Sequence, residues 1–360
     1  MICSEPAYYG TVMSEPNDTP VGPAQKTLRL RSISHLARHI AVPEDKLVEI
    51  ATTVASYYVE FSRCVKGKER VLVMAKKPLS LIQRRILDVL LMRLPQFEAS
   101  FGAAKGRSIR DNATVHANAK YIAKLDVHSF YPSIHRTKVY NFFRIAQDCS
   151  PDVARLLTLL TTRKHCLPLG TSTSPMLADQ IVRPIDKRIA GMAAKLGLRY
   201  TRYVDDITLS GGFPLKRFCH LVDSVLRQSG LRAKSSKTIV YGPGTDPGER
   251  LVTGVAIVDG RITAPKDYVS ELEDTLRRAF EQSRHQQPIG GFESREHYRG
   301  QLAYVRWLDP EIGSRLIRLY RNVKWRHLEW AMQQPKKRVE PPRSGDDAAG
   351  VPPTSDHVSS

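Results

Sequence analysis

Leu198-Arg199-Tyr200-Thr201-Arg202-Tyr203-Val204-Asp205-Asp206-Ile207-Thr208-Leu209 sets two adjacent acidic residues between apolar runs. The pattern reads as a β-hairpin, whose flanking strands hold the tip rigidly. Both carboxylates can then be aimed at one point, where a hard divalent cation is bound by oxygen ligands. Asp also favours turns for backbone reasons alone, so the pair by itself decides little.

A companion lies upstream. Lys124-Leu125-Asp126-Val127-His128-Ser129-Phe130-Tyr131-Pro132-Ser133-Ile134 places a third Asp at the end of a short strand-like segment, beside an aromatic pair. Three carboxylates from two segments suit two-metal phosphoryl transfer, in which one ion activates a 3′-hydroxyl and the other steadies the triphosphate and its leaving group. Mg²⁺ keeps waters and phosphates in its remaining positions, so few protein carboxylates suffice.

These segments resemble the reverse transcriptase family, and the resemblance extends over roughly Leu28 to Leu328. Asp126 to Tyr131 is similar to the family's first palm motif, and Tyr203 to Asp206 to its YxDD hairpin. Leu167-Pro168-Leu169-Gly170-Thr171-Ser172-Thr173-Ser174-Pro175 resembles the loop and helix between them, and Gly230 to Lys237 the motif that follows. Within the family the chain most resembles bacterial retron enzymes, through Asn112-Ala113-Thr114-Val115-His116 (NAxxH) and Val252-Thr253-Gly254 (VTG). Val204 stands where alanine is commoner, and Leu169 where glutamine is usual. A leucine offers no amide hydrogen bond to a nucleotide.

The resemblance implies an α+β right-hand polymerase fold with fingers, a palm whose antiparallel sheet is backed by helices, and a helical thumb. It implies two Mg²⁺ ions on Asp126, Asp205 and Asp206, with Val127 counted among the metal residues. Tyr131 is the expected steric gate against a ribose 2′-hydroxyl, with Phe130 turned into the core by strand alternation. Lys68 and Arg70, in a KGxxR-like pattern, are expected on the incoming triphosphate, and Lys237 beside the leaving pyrophosphate. His116 is a candidate RNA contact, though a half-buried histidine packing fingers against palm is the plainer expectation. The implied activity is RNA-directed DNA synthesis on a cognate structured RNA, which serves as template and primer. The implied partners are that RNA, dNTPs and an RNA–DNA duplex. In this family the DNA can stay joined to RNA by a 2′–5′ link, and a separate effector protein serves antiviral defence.

Composition agrees with a polyanionic partner. Lys and Arg number 55 against 36 Asp and Glu, a net charge of +19, and phosphate contacts release counterions. Between Arg63 and Lys124 fourteen basic residues meet four acidic ones, so over half of the excess lies just ahead of Asp126. Five widely spaced cysteines with no CxxC pair indicate neither a disulfide framework nor a zinc ribbon. No 18-residue apolar run or signal-peptide core is present, so a soluble, intracellular protein without a membrane partner is expected, and the retron resemblance implies a bacterial cytoplasm.

Residues 1–26 carry no hydrophobic period and are expected to form a flexible tail. Residues 27–265 are expected to make fingers and palm, 266–332 a helical thumb, and 333–360 a disordered tail. In detail, Ser32–Ala41 and Glu44–Cys64 read as helices parted at Val42-Pro43. Leu79–Leu94, Thr137–Thr162 and Met176–Leu196 read as helices too. Leu251–Ile262 reads as strand, turn and strand, and Tyr268–Phe280 and Ile312–Trp330 as amphipathic helices. Arg315, Arg318 and Arg321 recur at i, i+3 spacing, which suits tracking a duplex backbone. Two further readings stand beside the retron one: another defence-associated or diversity-generating reverse transcriptase, and a non-catalytic RNA-binding scaffold. Three clustered carboxylates are costly without metal, which argues against the scaffold.

Overall fold

The computed structural model describes residues 27–65, 68–245, 250–285 and 292–326, so both expected tails lie outside the described residues. The chain divides into two compact units that meet in sequence at Lys266 and Asp267.

The first unit opens with α1 (Ile33–Ile40) and α2 (Glu44–Thr52). Ser32 caps α1 by accepting from the His35 N–H, and Pro43 precedes α2 as expected of a residue with fixed φ. The second helix ends earlier than its sequence pattern predicts. Tyr58–Val65 is instead strand β1, paired antiparallel along its whole length with β2 (Lys68–Ala75). The β-branched pair Thr52-Thr53 breaks the helix, and eight cross-strand partners outweigh local helical period.

Helix α3 (Leu79–Arg85) continues as a π turn over Ile86–Leu90. Then come α4 (Ile109–His116), β3 (Tyr121–Asp126), α5 (Arg136–Asn141) and α6 (Pro151–Thr161). The single helix expected over 137–162 is therefore broken. Asp148 adopts positive φ, and Ser150-Pro151 starts a new helix by capping the Val153 N–H. Helix α7 (Ser174–Lys195) leads into the hairpin β4 (Arg199–Tyr203) and β5 (Asp206–Gly211), followed by α8 (Lys216–Gln228) and β6 (Ile239–Tyr241).

The main sheet is antiparallel, in the order β4-β5-β3-β6. Ala123, Leu125, Ile207 and Leu209 are buried in a core shared with Val182 and Ile189 of α7 and Val222 of α8. Lys124 and Asp126, two residues apart on β3, share a face by strand alternation. A second antiparallel sheet, β7 (Leu251–Val252), β8 (Val255–Val258) and β9 (Arg261–Thr263), packs on α4. The first unit is thus α+β with antiparallel sheets.

The second unit contains α9 (Lys266–His285), α10 (Arg295–Leu308) and α11 (Pro310–Asn322). Sequence reading passed over α10, although Tyr298, Leu302, Val305 and Leu308 are buried at helical spacing along it. Trp330, the expected end of the last helix, lies outside the described residues. Among the described residues no helix is long and apolar enough to cross a membrane.

Candidate active site

The β4–β5 hairpin closes with Tyr203 opposite Asp206, leaving Val204-Asp205 as a two-residue turn. Val204 has φ 57°, the positive value that a two-residue hairpin turn requires at its first position. Asp206 lies directly across from Asp126 in the β3–β5 register. The Val127 N–H donates to the Asp205 carbonyl at 2.9 Å, so the end of β3 is stitched to the turn. The three aspartates expected from sequence are thereby brought to one end of the sheet, with Val127 bonded to the turn through its backbone.

A third segment joins them. His128 N–H donates to the Arg232 carbonyl at 2.9 Å, and Lys234 N–H to the Asp126 carbonyl at 2.7 Å. This pairing delivers Lys237, on a 3₁₀ turn, to an ion pair with the Asp126 carboxylate. Burial raises the pKa of Asp206, and the Asp205 and Asp126 carboxylates raise it further, while Lys124 and Lys237 oppose the shift. Burial also lowers the pKa of Lys124. The negative charges are held together against their own repulsion, with ammonium groups as the cations beside them. Among the described residues no three His, Cys, Asp or Glu side chains meet as a ready metal cage. Lys237 occupies an oxygen of Asp126.

Phe130 is buried and Tyr131 half-buried, their rings edge to face at 5.4 Å. Burial, and then the Asp205 carboxylate, pushes the Tyr131 phenol up to about 12. In the Leu167–Pro175 loop, the Leu169 carbonyl accepts from Val73 N–H of β2 at 2.8 Å. Gly170 has φ 117°, and a Cβ there would meet the Val73 carbonyl at 2.7 Å, so only glycine fits this approach. The backbone of Lys68 and Arg70 forms β2, and their side chains lie outside the described residues.

His116 is corrected. It is fully buried, with Nδ1 2.7 Å from Ser210 Oγ and Nε2 2.7 Å from Thr201 Oγ1. Burial lowers its pKa to about 3, with Arg199 adding to the shift. A neutral ring with both nitrogens bonded to the main sheet is unavailable for direct RNA contact; it anchors α4. The other end of the NAxxH element reaches the VTG element, where Asn112 Nδ2 donates to Thr253 Oγ1 at 3.4 Å.

The basic face of α11 also changes. Arg315 pairs with Glu273 of α9 at 2.8 Å, and Glu273 is shared with Arg277. Arg318 and Arg321 are exposed. Arg321 lines a cleft between α10 and α11 with Arg299, Arg306 and Trp307, whose side chain is 41% exposed. Sequence reading missed Arg299, Arg306 and Trp307 because it missed α10.

The reverse transcriptase (RNA-dependent DNA polymerase) family matches residues 62–254, the span that holds Asp126, Lys237 and the Val204-Asp205 turn. The chain belongs to this family. Retron Ec86 reverse transcriptase of Escherichia coli is 31% identical over 258 residues, covering 70% of this chain and 77% of that protein. Two proteins of Myxococcus xanthus are similar as well. Retron Mx65 reverse transcriptase is 31% identical over 283 residues (73% of this chain, 64% of that one), and retron Mx162 reverse transcriptase 28% over 320 residues (79% and 65%). The chain thus spans just under two thirds of each Myxococcus protein. RNA-directed DNA polymerisation of the retron type is the activity these relatives support.

Proposed function

We propose that this enzyme copies part of a cognate structured RNA into single-stranded DNA by two-Mg²⁺ nucleotidyl transfer at Asp126, Asp205 and Asp206. The observation that carries this reading is the face-to-face register of Asp126 and Asp206, with Asp205 in the adjoining turn. The donor set fits the ions: carboxylate oxygens are the hard ligands Mg²⁺ prefers, and Lys237 already stands as a cation at Asp126. When bound, Mg²⁺ would acidify the primer hydroxyl and neutralise charge on the leaving pyrophosphate.

The remaining roles follow from position. Residues 27–265 serve as fingers and palm, with the helices from 266 onward as thumb. Tyr131, half-buried beside Phe130, packs under the sugar and excludes a 2′-hydroxyl. Lys237, at Asp126, would supply the positive group that opposes developing negative charge on the leaving pyrophosphate. Lys68 and Arg70 hold the triphosphate.

Arg318 and Arg321 follow the backbone of the RNA–DNA duplex, and the cleft holding Arg299, Arg306 and Trp307 offers guanidinium groups to phosphates and a ring to an unstacked base. The setting is the bacterial cytoplasm, in antiviral defence with a separate effector protein.

Protein purified from its native host tests this reading. A discrete RNA joined to DNA of defined length is the expected cargo, identified by separate RNase and DNase digestion and sequencing. Heterogeneous cellular RNA without attached DNA would overturn it.

A further inference from the structure

Arg202 of β4 is 2% exposed and is the largest of the fully buried side chains. Its Nε lies 2.9 and 3.0 Å from the two carboxylate oxygens of Asp186, and Nη2 lies 2.7 Å from Asp186 Oδ2 and 2.8 Å from Asp179 Oδ1. Asp179 and Asp186 are seven residues apart on α7, hence on one face, turned toward the sheet. One guanidinium between two carboxylates leaves an excess of negative charge. Tyr200 offsets it by donating its hydroxyl to Asp186 at 2.6 Å, and Ser100 by donating to Asp179.

Such a triad is a poor device for stability, because desolvating the charges cancels most of their attraction and apolar residues often serve as well. One bond joins the triad to the hairpin turn. Arg202 Nη1 donates to the Val204 carbonyl at 2.9 Å, in the turn that carries Asp205. Val204 is a β-branched residue at positive φ, a conformation that persists only when its surroundings impose it.

The opposite side of the turn is closed by Gly102, where a Cβ would lie 2.4 Å from Val204 N and 2.6 Å from Val204 Cγ2. The next carbonyl, that of Asp205, is held by Val127. Two successive carbonyls are therefore fixed, which fixes the direction in which Asp205 leaves the backbone.

We propose that Arg202 is a positioning residue for the metal-binding turn: anchored by Asp179 and Asp186, it clamps Val204 against Gly102 and so sets the spacing of Asp205 and Asp206 for divalent cations. The inference rests on the reading that these aspartates bind metal. The guanidinium also lies over the Phe130 ring, 5.8 Å from its centroid, so the same group braces the residue next to Tyr131. Lysine cannot replace it, since one ammonium lacks the planar fork that reaches two carboxylates and a carbonyl at once.

The test compares Arg202→Lys, Gly102→Ala and Arg202→Lys/Val204→Gly with the native enzyme on a primed RNA template, reading kcat, KM for dNTP, the Mg²⁺ concentration at half-maximal rate, and the thermal midpoint. Arg202→Lys is expected to lose about 10- to 100-fold in kcat and to need more Mg²⁺, with KM for dNTP little changed. Adding Val204→Gly should recover much of that loss, because glycine takes positive φ without a clamp. Gly102→Ala leaves the triad intact and crowds the turn from the other side, so it decides the matter if Arg202→Lys does not fold; the same rise in Mg²⁺ requirement is expected. Activity that tracks the thermal midpoint alone, with no change in Mg²⁺ requirement and no recovery from glycine, would overturn the proposal. Failure of the underlying reading looks different: Asp205→Asn/Asp206→Asn would then retain full incorporation.

Discussion

The Lys237 ammonium is paired with the Asp126 carboxylate across 111 residues of sequence. A lysine so placed competes with a divalent cation for the same oxygen. The side chain of Lys237 is 44% exposed, so the pair contributes only about 0.2–1 kcal/mol. Lys237→Gln should therefore tighten Mn²⁺ binding by at most roughly fivefold, titrated by electron paramagnetic resonance, while slowing incorporation for want of charge at the leaving group. Weaker Mn²⁺ binding by the variant would contradict this placement.

Sugar choice depends on Tyr131. Tyr131→Ala opens the space beneath the nucleotide and should shift the dNTP-to-rNTP preference by roughly 10- to 200-fold toward rNTPs, measured by single-nucleotide extension. An unchanged ratio would return Tyr131 to the core beside Phe130.

His116 predicts a pH effect. Its pKa is about 3 in the fold against an ordinary 6.5, so the unfolded chain binds the extra proton between those values. The stability it contributes is complete above pH 6.5 and is lost as pH falls toward 3, with an upper bound of roughly 3–5 kcal/mol. His116→Gln should lower the urea midpoint at pH 7.5 yet flatten its decline between pH 6.5 and 4.5. A variant whose midpoint falls with the native slope would show that the titrating group lies elsewhere.

The α10–α11 cleft separates two kinds of arginine. Replacing Arg306 and Arg321 by Ser should reduce the salt dependence of RNA binding by about two phosphate equivalents, a change in log–log slope of about 1.4–1.8. Arg315→Ser, which removes a partner of Glu273, should change that slope least. Equal effects would mean that the ion pair at Glu273 opens on binding.

The legible parts of the chain were those where charge interrupts an apolar pattern. Asp126, Asp205 and Asp206 stand out because a strand end is a poor place for carboxylates, and the structure brings all three together. Arg202 interrupts a strand in the same way, but its meaning lies in Asp179 and Asp186, which arrive from a helix that sequence spacing alone does not dock. Tyr58–Val65 was misread because eight residues after a helix can prolong it, and only pairing with β2 makes them a strand. His116 was half legible: its motif was visible, whereas burial against Thr201 and Ser210 depends on a sheet face about 90 residues away.

Incorporation of labelled dNTP on a primed RNA template by Asp205→Asn/Asp206→Asn tests the account most directly. The substitution keeps the turn's size and removes the charge that binds metal. The account predicts that incorporation is abolished while the thermal midpoint is kept or raised, since like charges no longer repel across the hairpin end. Incorporation at the native rate by the folded double variant would contradict it.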